Sequence, residues 1–191
     1  MPPPEQGDFR FIGERDRFRS SFIRLVTATL VDPKGFTFER DIVRHPGAVC
    51  VVPLENDGRH VMMVRQYRAP LDRYVLEVPA GKRDVFGEAP EQTARRELAE
   101  EVGRKASTWS ELGRFSNSPG FTDEETVCYL AEDLAVVERV TQGVEEDHMT
   151  IERVALGEIW DLLSLGVLVD AKSIIALALA ERVLSHRGFA S

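Results

Sequence analysis

Residues 81–103 read GKRDVFGEAPEQTARRELAEEVG, and within them Arg96-Glu97-Leu98-Ala99-Glu100-Glu101 sets three carboxylates on one short predicted helix. At about 100° per residue, Glu97, Glu100 and Glu101 fall within roughly 100° of arc on one face, with Glu88 one loop upstream. Such a face repels itself. Like charges one turn apart cost roughly a few tenths of a kcal/mol, relieved in part by Arg95, Arg96 and Arg104, so a solvated acidic helix is one reading. The setting favours another: a Pro79-Ala80-Gly81 turn, a charged loop, then a helix opening at Pro90, a residue suited to a first helical turn. Clustered oxygen ligands of this kind suit Mg²⁺ or Mn²⁺, hard cations whose coordination is usually completed by water and substrate phosphates.

Outward from this helix the chain alternates β-rich and helical patterns. Upstream, residues 24–44 carry two β-rich runs broken by Asp32-Pro33-Lys34-Gly35, a turn signal that predicts an antiparallel hairpin. Residues 48–54, 60–67 and 75–78 read as further strands. Downstream, residues 109–115, 125–131 and 149–154 alternate as strands, and two helices follow over 156–165 and 171–184. The second of these, AKSIIALALAERVL, is apolar enough to pack on a sheet. Strands with helices both among and after them predict a mixed α/β domain, an α+β arrangement around a mixed sheet. No internal repeat and no low-complexity linker is visible.

Composition fits an enzyme-sized globular chain. The 191 residues, 43% hydrophobic, suffice for a real core. The first seven residues lack the apolar region of a signal peptide, and the apolar run 174–180 is too short to cross a bilayer, so a cytoplasmic protein without membrane association is expected. Cys50 and Cys128 lie far apart in sequence on two predicted strands and read as buried thiols rather than a disulfide. His45, His60, His148 and His186 show no zinc-ligand spacing and read as structural or surface residues. A net charge of −8 argues against a nucleic-acid surface. It does not exclude a phosphate-bearing substrate, because bound divalent cations reverse the field at an acidic helix.

The residues of the opening stretch resemble the Nudix hydrolases, whose box runs G-x5-E-x7-R-E-U-x-E-E-x-G-U with U a bulky aliphatic residue. Glu88, seven intervening residues, Arg96, Glu97, Leu98, Ala99, Glu100, Glu101, Val102 and Gly103 fit in order. Two departures are present. Six residues rather than five separate Gly81 from Glu88, and Arg104 stands at the last aliphatic position, which suggests an exposed helix end. Outside the box, Gly47-Ala48-Val49, Arg65-Gln66-Tyr67-Arg68, Leu76-Glu77-Val78-Pro79-Ala80-Gly81 and Ser118-Pro119-Gly120-Phe121-Thr122-Asp123-Glu124 look like the ADP-ribose pyrophosphatase branch, with Pro119 sixteen residues past Gly103.

The resemblance implies an α/β/α sandwich, with residues 1–46 as an N-terminal antiparallel β segment and 47–187 as the hydrolase domain. Members of this branch are usually homodimers whose N-terminal strands cross onto the partner; a hairpin folded on its own domain is the alternative. By the same resemblance, Glu97 and Glu101 are the principal metal ligands, the Ala80 carbonyl a third, and Glu100 a further ligand or its support, with Mg²⁺, or Mn²⁺, as cofactor. Glu88 fits a supporting role, and Arg96 is four residues before Glu100, where it can hold that carboxylate by an i,i+4 pair. A general base must then come from outside the box. The resemblance points to the acidic segment 143–150, with Glu146 favoured and Glu145 close behind. Arg68 resembles the diphosphate-contacting arginine, its planar fork suited to paired oxygens. Arg40 is either a second such contact or a plain surface charge, Glu77 is placed to accept from sugar hydroxyls, Pro119 belongs to the substrate-binding motif, and Phe22 could stack on adenine.

The implied activity is metal-dependent hydrolysis of ADP-ribose to AMP and ribose 5-phosphate. The same chemistry would act on other nucleoside diphosphate sugars or dinucleotides, and a nucleotide-binding sensor or scaffold without turnover is the reading from a different class.

Overall fold

The structure, a computed structural model, describes residues 8–139 and 147–188. The chain divides into two compact units, Met1–Gly47 with Ser116–Glu124, and Ala48–Phe115 with Glu125–Ser191.

In the first unit, strands β1 (Arg10–Arg19), β2 (Arg24–Val31) and β3 (Thr37–Arg44) form an antiparallel sheet in that order. The predicted hairpin is β2 and β3. Asp32 closes it, its carboxylate accepting from the amides of Lys34 at 2.9 Å and Phe36 at 2.8 Å, and Gly35 supplies the left-handed residue of the turn, with φ of 89°. Strand β1 escaped sequence reading because RFIGERDRFR shows no apolar alternation and is almost wholly exposed. Ion pairs line it instead: Arg15 to Glu39, and Glu14 to both Arg24 and Arg44. The segment 116–124 joins this unit by a parallel bridge between Val43 and Thr122, with Arg44 held by Asp123 at 3.0 Å.

The second unit is a layered sandwich. Strands β4 (Ala48–Pro53), β5 (His60–Arg68), β6 (Arg73–Glu77), β7 (Ala80–Lys82), β8 (Arg104–Ser116), β9 (Glu125–Val136) and β10 (Thr150–Ala155) form two sheets, ordered β10-β5-β6 and β7-β4-β9-β8. The pairing of β4 with β9 is parallel; β4 with β7, and β5 with both its neighbours, pair antiparallel. Helix α1 (Pro90–Val102) lies on one face, and α2 (Ile159–Ser164) and α3 (Ala171–His186) on the other.

Period-two alternation sorts the strand residues between these layers. Val49, Val51, Met62, Val64, Val127 and Tyr129 pack with Ala94, Leu98 and Val102 of α1. The intervening Cys50, Val52, Val61, Met63, Cys128 and Leu130 pack with Ile159 and with Ala176, Leu177, Ala180 and Leu184 of α3. Burial on both faces explains why β4 is a continuous apolar run rather than an alternating one. Cys50 and Cys128, distant in sequence, are direct register partners on β4 and β9; both are free and fully buried. The hydrogen bond with Cys50, and burial after it, hold the Cys128 thiol protonated, far above the ordinary thiol range.

Strand β8 begins at Arg104, five residues before its predicted start, and β9 runs five residues past its predicted end. The first C-terminal helix is shorter than predicted, with a 3₁₀ turn over Leu156–Glu158 in its first part. The expectation that Arg104 marks an exposed helix end is corrected: Val102 and Gly103 are buried, and Arg104 is half-buried as it starts β8.

Candidate active site

Helix α1 starts and stops where its sequence says it should. Pro90 occupies the first turn, the Ala89 amide donates to the Gln92 side chain at 3.0 Å, and Gly103, with φ of 64°, ends the helix in the left-handed conformation that glycine tolerates. Ala94, Leu98 and Val102 bury one stripe in the core. That anchoring turns Glu97 and Glu101 inward, and they are only 8% and 4% exposed.

Two buried carboxylates on successive turns are costly unless their charge is answered. The Glu101 carboxylate accepts from the Ala80 amide at 3.0 Å, tying the helix to β7. Arg96 stands amid the others, its Nη1 2.8 Å from Glu97 and 3.0 Å from Glu100, and its Nη2 3.4 Å from Glu88. Burial works against the Arg96 charge, but Glu97, Glu88 and Glu100 outweigh it and hold the guanidinium protonated well above its ordinary range. Glu88 is fixed in turn by the Thr93 hydroxyl at 2.9 Å.

Gly81 completes the arrangement. A β-carbon there would lie 2.0 Å from Cδ and 2.1 Å from Oε1 of Glu97, so the carboxylate rests against bare backbone. An all-oxygen donor set, carboxylates outnumbering the arginine among them, and a glycine that clears the approach of one ligand fit a hard divalent cation. Glu97, Glu100, Glu101 and Ala80 would hold it.

A second cluster forms where β5, β6 and α3 meet. Glu77, 1% exposed, accepts from Arg68 Nε at 2.7 Å and Nη2 at 2.6 Å, and also from Lys172 Nζ. Burial pushes the Glu77 carboxyl up, but Arg68 and Lys172 together bring it below the ordinary carboxylate range. Asp170 caps α3 through the Ser173 amide at 2.9 Å and holds Lys172 at 2.9 Å, while the Ser173 hydroxyl accepts from the Val78 amide at 2.9 Å. The two clusters are electrostatically joined, because the charge of Glu101 adds to the pull of Glu77 in keeping Arg68 protonated.

The predicted residues therefore fall into several places. Glu97, Glu100, Glu101, Ala80 and Arg96 converge, and Arg68 and Glu77 form the neighbouring pair. Glu77, expected to accept from sugar hydroxyls, is a buried carboxylate engaged by two cations. Arg40 lies on β3 of the first unit, its guanidinium over the Phe38 ring at 4.7 Å and bonded to the Glu39 carbonyl at 2.7 Å. Pro119 belongs to the same unit, as does Phe22, whose ring meets His45 edge-on at 5.7 Å. Glu145 and Glu146 lie outside the described residues. Lys172 and Asp170 were missed by sequence reading; the one available signal was a lysine placed in the first turn of a helix, where the dipole disfavours it.

Glu55, Asp57 and His60 also bring potential ligand atoms within 4.8 Å of one another, at the turn between β4 and β5. Arg153 occupies that group, 2.5 Å from Glu55, 2.5 Å from Asp57 and 2.8 Å from His60 Nδ1. A guanidinium in that position makes this an ion-pair cluster.

The family profile described as NUDIX domain matches residues 44–177. The chain is 37% identical to an ADP-ribose pyrophosphatase of Bacillus subtilis (strain 168) over 87% of its own length and 89% of that protein's. It is 36% identical to an ADP-ribose pyrophosphatase of Mycobacterium tuberculosis, covering 96% of this chain and 87% of the other. Among solved structures, that of an ADP compounds hydrolase superposes with a TM-score of 0.81 at 24% identity, over 95% of this chain and 97% of that one, which shows the shared fold. With the box carboxylates gathered on one helix against Gly81 and this profile spanning the sandwich, the chain belongs to the Nudix hydrolase family.

Proposed function

We propose that this protein hydrolyses the pyrophosphate bond of ADP-ribose, giving AMP and ribose 5-phosphate, with Mg²⁺ as cofactor and Mn²⁺ as a substitute. The observation that carries this reading is the Glu97 carboxylate seated over Gly81 beside a Glu101 tied to the Ala80 amide, in a chain two of whose relatives are named ADP-ribose pyrophosphatase.

A divalent cation, which Glu97, Glu100, Glu101 and the Ala80 carbonyl would hold, would neutralise phosphate charge and lower the pKa of the attacking water. The chain's own residues do the rest. Arg96 keeps Glu97, Glu100 and Glu88 in place. Arg68, fixed by Glu77, offers its charge to the diphosphate. The base that accepts the proton of the attacking water is Glu146, or Glu145 beside it; the water oxygen bonds to phosphorus as the bridging P–O bond breaks, and the leaving phosphate takes the bond's electron pair. Arg40 and Pro119 contribute to substrate binding in this reading.

Residues 1–46 act as a dimerisation segment of a homodimer and 47–187 as the hydrolase domain. Exposed Phe9, Phe11, Ile12 and Phe18 on or beside β1 support contact with a second copy. Two free thiols side by side support a reducing compartment, the cytoplasm.

The test is release of phosphatase-sensitive phosphate monoester from ADP-ribose, other nucleoside diphosphate sugars and dinucleotides, with Mg²⁺ or EDTA. Metal-dependent turnover led by ADP-ribose is the expected result. Preference for another compound in the panel would overturn the substrate, and absence of turnover on all of them would overturn the activity.

A further inference from the structure

Glu77 is shared by two cations that differ in what else they can reach. Lys172 is enclosed, its side chain 15% exposed, whereas that of Arg68 is 38% exposed. Arg68 spends Nε and Nη2 on the carboxylate, and among the described residues its Nη1 has no hydrogen-bond partner. Lys172 meets the same Glu77 oxygen, Oε2, as Arg68 Nη2 does, approaching from α3. A lysine at this place is locally unfavourable, since the first turn of a helix repels cations. Breaking a local rule at a position that also closes a buried ion cluster is a mark of function.

We propose that Lys172 is a positioning residue for the phosphate-binding arginine: by answering the buried Glu77 charge from the helix side, it leaves the charge of Arg68 available to a nucleoside diphosphate. Without Lys172, Arg68 is the sole counter-charge to a buried carboxylate, and an anion competing for it must leave that carboxylate unanswered. Asp170, the cap of α3 and the acceptor of the Ser173 amide and hydroxyl, holds the lysine in place at 2.9 Å. The inference rests on Arg68 facing the diphosphate, as the proposed function has it.

The experiment compares Lys172→Met and Lys172→Arg with wild type in KM and kcat for ADP-ribose, and in ADP affinity by titration calorimetry. Lys172→Met is expected to raise KM and weaken ADP binding about ten-fold with kcat changed less than three-fold, and Lys172→Arg to recover most of the loss. In an Arg68→Ala background, Lys172→Met should add less than a two-fold further loss, because its effect runs through Arg68. An equal loss with and without Arg68, or unchanged ADP affinity in a folded Lys172→Met protein, overturns the proposal. If Lys172→Met does not fold, the charge-balanced Glu77→Gln/Lys172→Met protein decides. With the Glu77 charge removed, Lys172 has nothing to answer, so this protein should bind ADP within about two-fold of Glu77→Gln alone, and a further loss of about ten-fold there overturns the proposal. Wild-type protein that binds ADP but hydrolyses nothing removes the enzymatic reading alone, with ADP affinity in the variants still deciding this one; wild-type protein that does not bind ADP overturns it.

Discussion

Gly81 and Glu97 stand so close that no side chain fits between them: a β-carbon on Gly81 would lie 2.0 Å from the Glu97 carboxyl carbon. The glycine is one strand away from the helix in sequence, on the short β7 paired to β4 at the sheet's end. Its missing side chain is what admits the Glu97 carboxylate to the backbone at Gly81.

The first consequence concerns Gly81→Ala. The atoms that must yield belong to the far end of a flexible side chain, so the fold should survive with a loss near 1 kcal/mol. Glu97 would be displaced, and kcat/KM should fall at least about a hundred-fold. Thermal unfolding and Mg²⁺-dependent kinetics on one preparation check this. A variant of normal activity would mean that Glu97 does not work from this position.

Arg96→Ala should cost both stability and rate. It removes the cation that three carboxylates share, leaving Glu97, Glu100 and Glu88 to repel one another. Activity is expected to fall about 10- to 100-fold. Raised Mg²⁺ should restore part of it, since the metal then supplies the missing charge; a defect indifferent to Mg²⁺ would assign Arg96 another role.

Glu77 should make the protein acid-sensitive. Its folded carboxyl titrates below the ordinary 4.5, so its stabilising contribution is complete above that value and is lost as pH falls through the lowered folded value. Urea midpoints measured from pH 7 down to pH 3 should drop. Glu77→Gln should be less stable at pH 7, by about 3 kcal/mol for a broken buried pair, and should show a shallower pH dependence. Parallel curves for the two proteins would mean that another carboxyl carries the acid response.

The base is tested by Glu146→Gln and Glu145→Gln. One of them should lower kcat about a hundred-fold or more at neutral pH with little change in KM. Near-normal turnover in both would place the base elsewhere.

The machinery on α1 was legible in the sequence because a helix converts spacing into a face. Glu97, Glu100 and Glu101 needed only 3.6 residues per turn to be brought together, and Pro90 and Gly103 marked the ends. The strands β4, β5 and β9 were legible as apolar runs, and the hairpin of β2 and β3 by its turn residues. Strand β1 was not, since its partners are charges on β2 and β3 and its own pattern is mute.

By itself, then, the sequence determined the carboxylate helix and the mixed α/β class, because these rest on local period, capping and composition; where a turn over residues 79–81 was expected, Ala80 and Gly81 instead pair with β4 as strand β7. Tertiary structure alone decided the rest. It brought Lys172 to Glu77 across 95 residues, set Cys128 beside Cys50, and laid Glu97 against Gly81. Such meetings depend on strand register and on which helix face the core accepts, and those are settled by burial summed over distant segments, which no local spacing encodes.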